Sequence, residues 1–137
     1  MTRIKLKIIL PKIPDIELVA IEGLNQMAKF FGISDDKIGE ARILVAEAII
    51  NAFEYAAESD KGIRVEYSMN KKKLTILVRD YGKGFKPESI TEPDINKKLG
   101  SDNKRGWGLM LIKSMSDDFH INSGPTGTKI TIMKKLS

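Results

Sequence analysis

The sequence predicts a single α+β domain over residues 1–137, a two-layer α/β sandwich in which three helices cover one face of a mixed, mostly antiparallel sheet of about five strands. Two features predict this architecture. Several short segments alternate apolar and polar residues with a period of two, so each strand has one largely apolar face. Other segments space their apolar residues as helices do. Strands with one apolar face suit a sheet covered on one side, so we expect the helices to form that single layer.

The N-terminal half of the chain is predicted to form one strand followed by two helices. Residues 4–10 alternate apolar and basic side chains, as a strand does. Residues 15–31 have helical spacing, and Gly32 is a suitable residue to end that helix. Ser34 can cap a second helix that runs to about residue 59.

The C-terminal half is predicted to form two hairpins with an irregular segment and one helix between them. In order, these are strands at 63–69 and 74–78, an irregular stretch at 82–105, a helix at 106–115, and strands at 119–122 and 128–133. The irregular stretch contains Pro87, Pro93 and Gly100 and has no sustained periodicity. Long irregular segments in compact domains are usually functional lids or disordered.

Composition limits the functional classes without choosing among them. The chain has no cysteine, which excludes disulfides and thiol chemistry, and it starts without an apolar signal-peptide core or spanning segment. We therefore expect a cytoplasmic protein without membrane association. The net charge of +5 suits nucleic acid, nucleotide phosphates, an acidic protein partner or solubility alone. Lys71, Lys72 and Lys73 suggest a basic patch, but a solvated turn between two strands is the commoner explanation.

The second helix carries two polar residues that could bind a ligand. Glu47 and Asn51 lie one turn apart, so their side chains project side by side. Such a stripe is normally a solvated face, but Ile43, Leu44 and Ile50 flank the pair, which favours a groove that a ligand partly covers. Asn51 could offer its amide oxygen to Mg²⁺, and Glu47 could act as a general base near the terminal phosphate.

Asp80 is a carboxylate where the strand pattern asks for an apolar residue. It continues the inward-facing series that includes Val78, so it should point toward the helices. A hydrogen-bonded Asp in this position could accept from the exocyclic amine of adenine, and Gly82 and Gly84 would allow a flat ligand to approach. The alternative is an Asp that only caps a turn.

Two further sites could contribute to binding. Lys104-Arg105-Gly106-Trp107-Gly108-Leu109 places cations and glycines at the start of a predicted helix, where free amides and the helix dipole suit phosphates. A plain helix-initiating turn is the commoner explanation for such a segment. Thr128 shares the inward face with Ile130, which places its hydroxyl near Asp80, although it could equally be a core threonine.

Taken in order, four motifs resemble those of the GHKL ATPase superfamily, which has the Bergerat fold: Glu47-Ala-Ile-Ile-Asn51, Asp80-Tyr-Gly82-Lys-Gly84, Gly106-Trp-Gly108-Leu109 and Gly127-Thr128. The short chain, its lone leading strand and the segment Arg105-Gly-Trp-Gly-Leu-Met-Leu-Ile-Lys113 are most similar to the bacterial anti-sigma-factor serine kinases of the RsbW and SpoIIAB kind. The resemblance covers essentially the whole chain.

The resemblance implies a homodimeric kinase that holds a sigma factor inactive and, with ATP and Mg²⁺, phosphorylates a serine on an anti-sigma-factor antagonist. Glu47 would be the catalytic base and Asn51 the Mg²⁺ ligand. Asp80 and Thr128 would meet adenine, while Gly82 and Gly84 shape its pocket. Arg105, Gly106 and Gly108 would bind the phosphates, and the neighbouring Lys104, Trp107 and Leu109 would also belong to the nucleotide-binding residues. The segment from Gly84 to Arg105 would be the ATP lid.

One departure from the family pattern and two alternative functions accompany this interpretation. Tyr55 stands where many relatives carry a histidine, and His120 in the last hairpin is expected to be structural or on the surface. The second candidate function is a nucleotide-gated switch that activates a partner phosphatase by contact, without phosphotransfer. Direct nucleic-acid binding is the weakest candidate, because no strand face is expected to interleave basic and aromatic residues.

Overall fold

The computed structural model describes residues 1–55, 61–82 and 104–137. Within this part of the chain, five strands and three helices follow one another in the predicted order. They are β1 (Ile4–Leu10), α1 (Glu17–Phe31), α2 (Asp35–Tyr55), β2 (Ile63–Met69), β3 (Lys73–Asp80), α3 (Lys104–Met115), β4 (Asp118–Gly124) and β5 (Gly127–Lys135). No helix formed by the described residues is long and apolar enough to cross a membrane.

The described strands form one sheet in the order β1-β2-β3-β5-β4, and each neighbouring pair is antiparallel. The predicted parallel component is therefore wrong. Two successive helices return the chain to the end of the sheet at which β1 finishes, so β2 runs back along it. β3 and β4 run in the same direction, but β5 lies between them and is antiparallel to both.

The described helices cover one face of the sheet and leave the other face uncovered, as predicted. The inward-pointing side chains of the three central strands are 9% exposed or less: Ile63, Val65, Tyr67, Met69, Leu74, Ile76, Val78, Asp80, Thr128, Ile130, Ile132 and Lys134. The helices bury residues such as Leu24, Leu44 and Ile112 completely against this face. Outward-facing residues of the same strands are half-buried or exposed, apart from Gly127 at the start of β5.

The helix boundaries differ from the predicted ones by about a residue or two at the described ends. Helix α1 begins at Glu17 because Asp15 adopts a left-handed backbone conformation, with φ 65°, which a continuous helix excludes. Gly32 ends it as predicted, also left-handed, and its N–H reaches the carbonyls of Ala28 and Lys29. Helix α3 begins two residues earlier than expected, at Lys104.

A buried lysine joins three elements at the end of the sheet where β5 finishes. Lys134 continues the inward face of β5 and is 9% exposed. Its Nζ donates to the carbonyl of Met115 at the end of α3 over 2.8 Å and lies 2.5 Å from Oε2 of Glu40 on α2. A cation is favourable at a helix C-terminus. The sequence pattern did not predict this contact, which we call the Lys134 clamp.

The clamp predicts a pH-dependent contribution to stability. The hydrogen bond from Lys134, and then its charge, hold the pKa of Glu40 below its usual value of 4.5. A lowered pKa in the folded protein means that the carboxylate contributes above the unfolded pKa and that this contribution is lost as the pH falls through the folded value. Glu40→Gln should therefore lower the free energy of unfolding at about pH 7, with a smaller effect at about pH 3. Urea denaturation at both pH values measures this difference.

Glu22→Gln is the matched control, since Glu22 is an exposed carboxylate on α1 that is not part of the clamp. It should change stability little at either pH. An equal effect of Glu40→Gln at both pH values would show that the ion pair does not stabilise the fold.

Candidate functional site

Helix α2 holds the two predicted polar residues between the core and α3. Asn51 is 4% exposed and Glu47 is half-buried. The predicted apolar flank is only partly present. Ile43 and Ile50 are 46% and 49% exposed, whereas Leu44 is completely buried because it lies on the side of the helix that faces the core.

Gly108 of α3 lies directly against this pair. A Cβ atom placed on Gly108 would lie 3.5 Å from Nδ2 of Asn51 and 3.7 Å from Oε2 of Glu47. The missing side chain leaves space for about one methyl group between α2 and α3, and we call this space the recess. It is bordered by the amide of Asn51, the carboxylate of Glu47 and the backbone of α3. Three residues predicted from two separate motifs thus come together in space.

Asp80 points inward, as the alternation predicted, and is 3% exposed. Its Oδ1 accepts hydrogen bonds from the backbone N–H groups of Gly82, at 3.0 Å, and Thr128, at 3.3 Å. Asp80 and Thr128 are also direct partners in the pairing of β3 with β5. These bonds fix the carboxylate at the end of β3, next to the start of β5.

The backbone of the last hairpin lies in close contact with the backbone of Asp80. Gly127 has a φ of 134°, and a Cβ atom on it would overlap the carbonyl group of Asp80. Only glycine is compatible with both conditions. Ser123, opposite Thr128 in the pairing of β4 with β5, places its Oγ 2.7 Å from Oγ1 of Thr128. Sequence reasoning missed Ser123, although its register opposite Thr128 would have revealed it.

Several predicted site residues fall wholly or partly outside the described residues. Gly84 and most of the predicted lid lie outside them. The backbones of Lys104, Arg105, Gly106 and Trp107 form the first turn of α3, and their side chains lie outside the described part. Leu109 is 6% exposed and belongs to the core. The segment predicted to bind phosphates is therefore a helix N-terminus, where backbone amides have no intrahelical partner.

Metal binding at this site can be judged from the available donors. Within residues 1–55, 61–82 and 104–137, no group of three His, Cys, Asp or Glu side chains could hold a metal ion. Mg²⁺ often takes one or two protein ligands and completes its shell with water and substrate phosphates. The Asn51 amide beside Gly108, whose nearest atom is Nδ2, belongs to a residue type that fits that kind of binding better than a cage made by the protein alone.

Residues 15–134 match the family described as the histidine kinase-like ATPase domain. The serine-protein kinase RsbW of Listeria innocua serovar 6a is 32% identical over 120 residues, 83% of this chain and 76% of that protein. RsbW of Bacillus cereus is 32% identical over 118 residues, 80% of this chain and 74% of that protein. A solved structure of the RsbU and RsbW domains of a Mycobacterium tuberculosis protein matches with a TM-score of 0.71 at 20% identity. The match covers 97% of this chain and 32% of that longer one, and it shows the same fold.

The contact between Gly127 and Asp80 gives a direct test of the site's geometry. Gly127→Ala should lower the free energy of unfolding by roughly 2 to 4 kcal/mol, because the new methyl group meets backbone in a strained conformation. Gly124→Ala is the matched control in the same hairpin, since a Cβ there meets no described residue within 4 Å. Urea denaturation of both variants measures the difference. Equal effects would contradict the close approach of β5 to Asp80.

Proposed function

The chain belongs to the histidine kinase-like ATPase family, and we propose that it is a protein serine/threonine kinase that transfers phosphate from Mg-ATP to a protein partner. Residues 1–137 would make up one kinase domain. The observation that carries the proposal is the recess at Gly108, where Glu47 and Asn51 meet the first turns of α3. The relatives named serine-protein kinase RsbW support a serine hydroxyl as the acceptor.

The nucleotide would lie between the end of β3 and the start of α3. Asp80, held by two backbone N–H groups, is a fixed acceptor suited to the exocyclic amine of adenine. Thr128 would contact the same ring through its hydroxyl. The phosphates would reach the N-terminal amides of α3, where the helix dipole favours negative charge. The described geometry supports this orientation because both ends of the nucleotide then meet groups that suit them.

Asn51 and Glu47 would have different roles at the terminal phosphate. Asn51 would offer its amide oxygen to the Mg²⁺ that accompanies the nucleotide, and that ion would neutralise phosphate charge. Glu47 would accept the proton of the serine hydroxyl at a carboxylate oxygen. The bond from the serine oxygen to the γ-phosphorus then forms as the bond to ADP breaks, and ADP leaves.

The proposed partners are a sigma factor and an anti-sigma-factor antagonist, with the kinase acting as a cytoplasmic homodimer. The four motifs and the RsbW relatives support this assignment. Affinity capture from the native cytoplasm followed by mass spectrometry tests it. Recovery of a sigma factor is the expected result, whereas a phosphatase recovered without phosphotransfer would favour the nucleotide-gated switch.

Gly108→Ala should separate ligand binding from folding. The added methyl group would make ordinary contacts at 3.5 and 3.7 Å, and alanine favours a helix over glycine by about 1 kcal/mol, so the fold should not lose stability. The methyl group would fill the recess and weaken Mg-ATP binding about tenfold. Gly39→Ala on α2 is the matched control, because among the residues that the structure describes a Cβ there contacts Arg42 alone, at 3.8 Å. Calorimetric titration of both variants gives the affinities, and unchanged Mg-ATP binding by Gly108→Ala would place the nucleotide elsewhere.

Glu47→Ala should retain nucleotide binding and lose phosphate transfer, by roughly 10²- to 10⁴-fold if Glu47 is the general base. Asn51→Ala should instead weaken Mg-ATP binding itself. The two are compared by calorimetry and by transfer of labelled phosphate to the captured antagonist, with the exposed Glu54→Ala as control. Full transfer activity in Glu47→Ala would remove its assigned role. No binding of millimolar Mg-ATP by the unmodified protein would overturn the kinase proposal.

A further inference from the structure

The face of the sheet that the described helices leave uncovered carries three cations side by side. Arg64 on β2 pairs directly with Arg79 on β3, and Arg79 pairs directly with Lys129 on β5. Arg64 is exposed and the other two are half-buried. Directly opposed side chains on one sheet face have Cβ atoms about 4.5 to 5.5 Å apart. We call these three residues the cationic row.

The cationic row has no neutralising carboxylate among the described residues. Ile9 on β1 and Asn122 on β4 extend it at either end, and neither is charged. In the described part of the chain, Arg64, Arg79 and Lys129 take part in no ion pair, since Glu66 in the adjacent register pairs instead with Lys7 at 3.4 Å. Like charges directly opposite one another destabilise a sheet. The arrangement therefore costs stability that a bound anionic group would offset.

Arg79, in the middle of the row, is in contact with an aromatic ring. Its guanidinium lies over the ring of Tyr81, with Cζ 4.9 Å from the centroid, and Lys61 Nζ lies 5.3 Å from the same centroid. Nε of Arg79 is buried without a hydrogen-bond partner among the described residues. A guanidinium that has no carboxylate partner among the described residues is suited to a carboxylate, which can accept two parallel N–H bonds.

We propose that the cationic row binds an extended, acidic segment of a protein partner. Five strands about 4.8 Å apart span roughly 19 Å, which about six extended residues cross. Ile9, 68% exposed at one end of the row, would add an apolar contact. A single-stranded nucleic acid fits less well, because it needs aromatic rings for stacking and the ring of Tyr81 is already covered by Arg79 and Lys61. The proposal does not require phosphotransfer.

The position of the row relates it to the candidate site. Arg79 and Lys129 each adjoin, along their strands, the inward-facing pair Asp80 and Thr128. A segment bound to the row would thus lie on the opposite side of the same two strands from the proposed adenine contacts.

The test uses the full chain and a fluorescein-labelled peptide of about eight residues that alternates glutamate and alanine. Fluorescence anisotropy at about 0.15 M salt compares the parent with the double variant Arg64→Glu, Lys129→Glu. The control is Lys71→Glu, Lys72→Glu, which changes the net charge equally in an exposed turn away from the row. We expect the first variant to lose at least about tenfold in affinity and the control to lose much less.

Thermal unfolding shows whether a loss of peptide binding could come from a loss of folding. Reversing both neighbours of Arg79 replaces repulsion with attraction, so Arg64→Glu, Lys129→Glu should melt at a temperature no lower than the parent. Weaker peptide binding by a variant that remains fully folded would support the proposal. Equal binding by the parent and this variant would overturn it. Row-dependent binding of a random-sequence single-stranded DNA, or of phosphatidylglycerol vesicles, in preference to the peptide would also overturn it.

Discussion

The inner face of the sheet is apolar along most of β2, β3 and β5, and a single layer of helices has to keep water from it. Every polar side chain on that face then needs a partner within the protein. Asp80 uses backbone amides, Thr128 uses Ser123, and Lys134 uses the end of α3 together with Glu40. The polar residues therefore collect at the two ends of β5, one end at the candidate site and the other at the Lys134 clamp.

Helix α3 connects these two ends. Its first turns border the recess through Gly108, and its last carbonyl accepts the hydrogen bond from Lys134. The clamp also holds Glu40, two turns before Glu47 on α2. Lys134 thus connects α2 with α3 at the end of α3 that lies away from the recess. A structural contact and the proposed nucleotide site share the same two helices.

Much of the fold could be predicted from the spacing of apolar residues alone. One apolar face on each strand identifies the strands and also the side of the sheet on which the helices lie. The inward direction of Asp80 followed from the same alternation, and the pairing of Glu47 with Asn51 followed from helical spacing. The strand order did not follow, since it depends on where β5 inserts. The sequence pattern placed Leu44 at the border of a ligand groove. In the structure Leu44 faces the core, because it lies at the edge of the polar face of α2. The Lys134 clamp joins residues from three elements that are far apart in sequence, so local sequence patterns could not predict it.

The pairing of β3 with β5 has a consequence for how the protein folds and unfolds. The hairpins β2–β3 and β4–β5 close over short turns, whereas Asp80 and Thr128 meet only after the long intervening chain has been brought round. Contacts between residues far apart in sequence carry the larger loop-closure entropy and form slowly. A nucleotide in contact with both Asp80 and Thr128 would connect the two hairpins where β3 pairs with β5. Its binding would retard the separation of the hairpins, so the lifetime of the native state would depend on the nucleotide concentration in the cell.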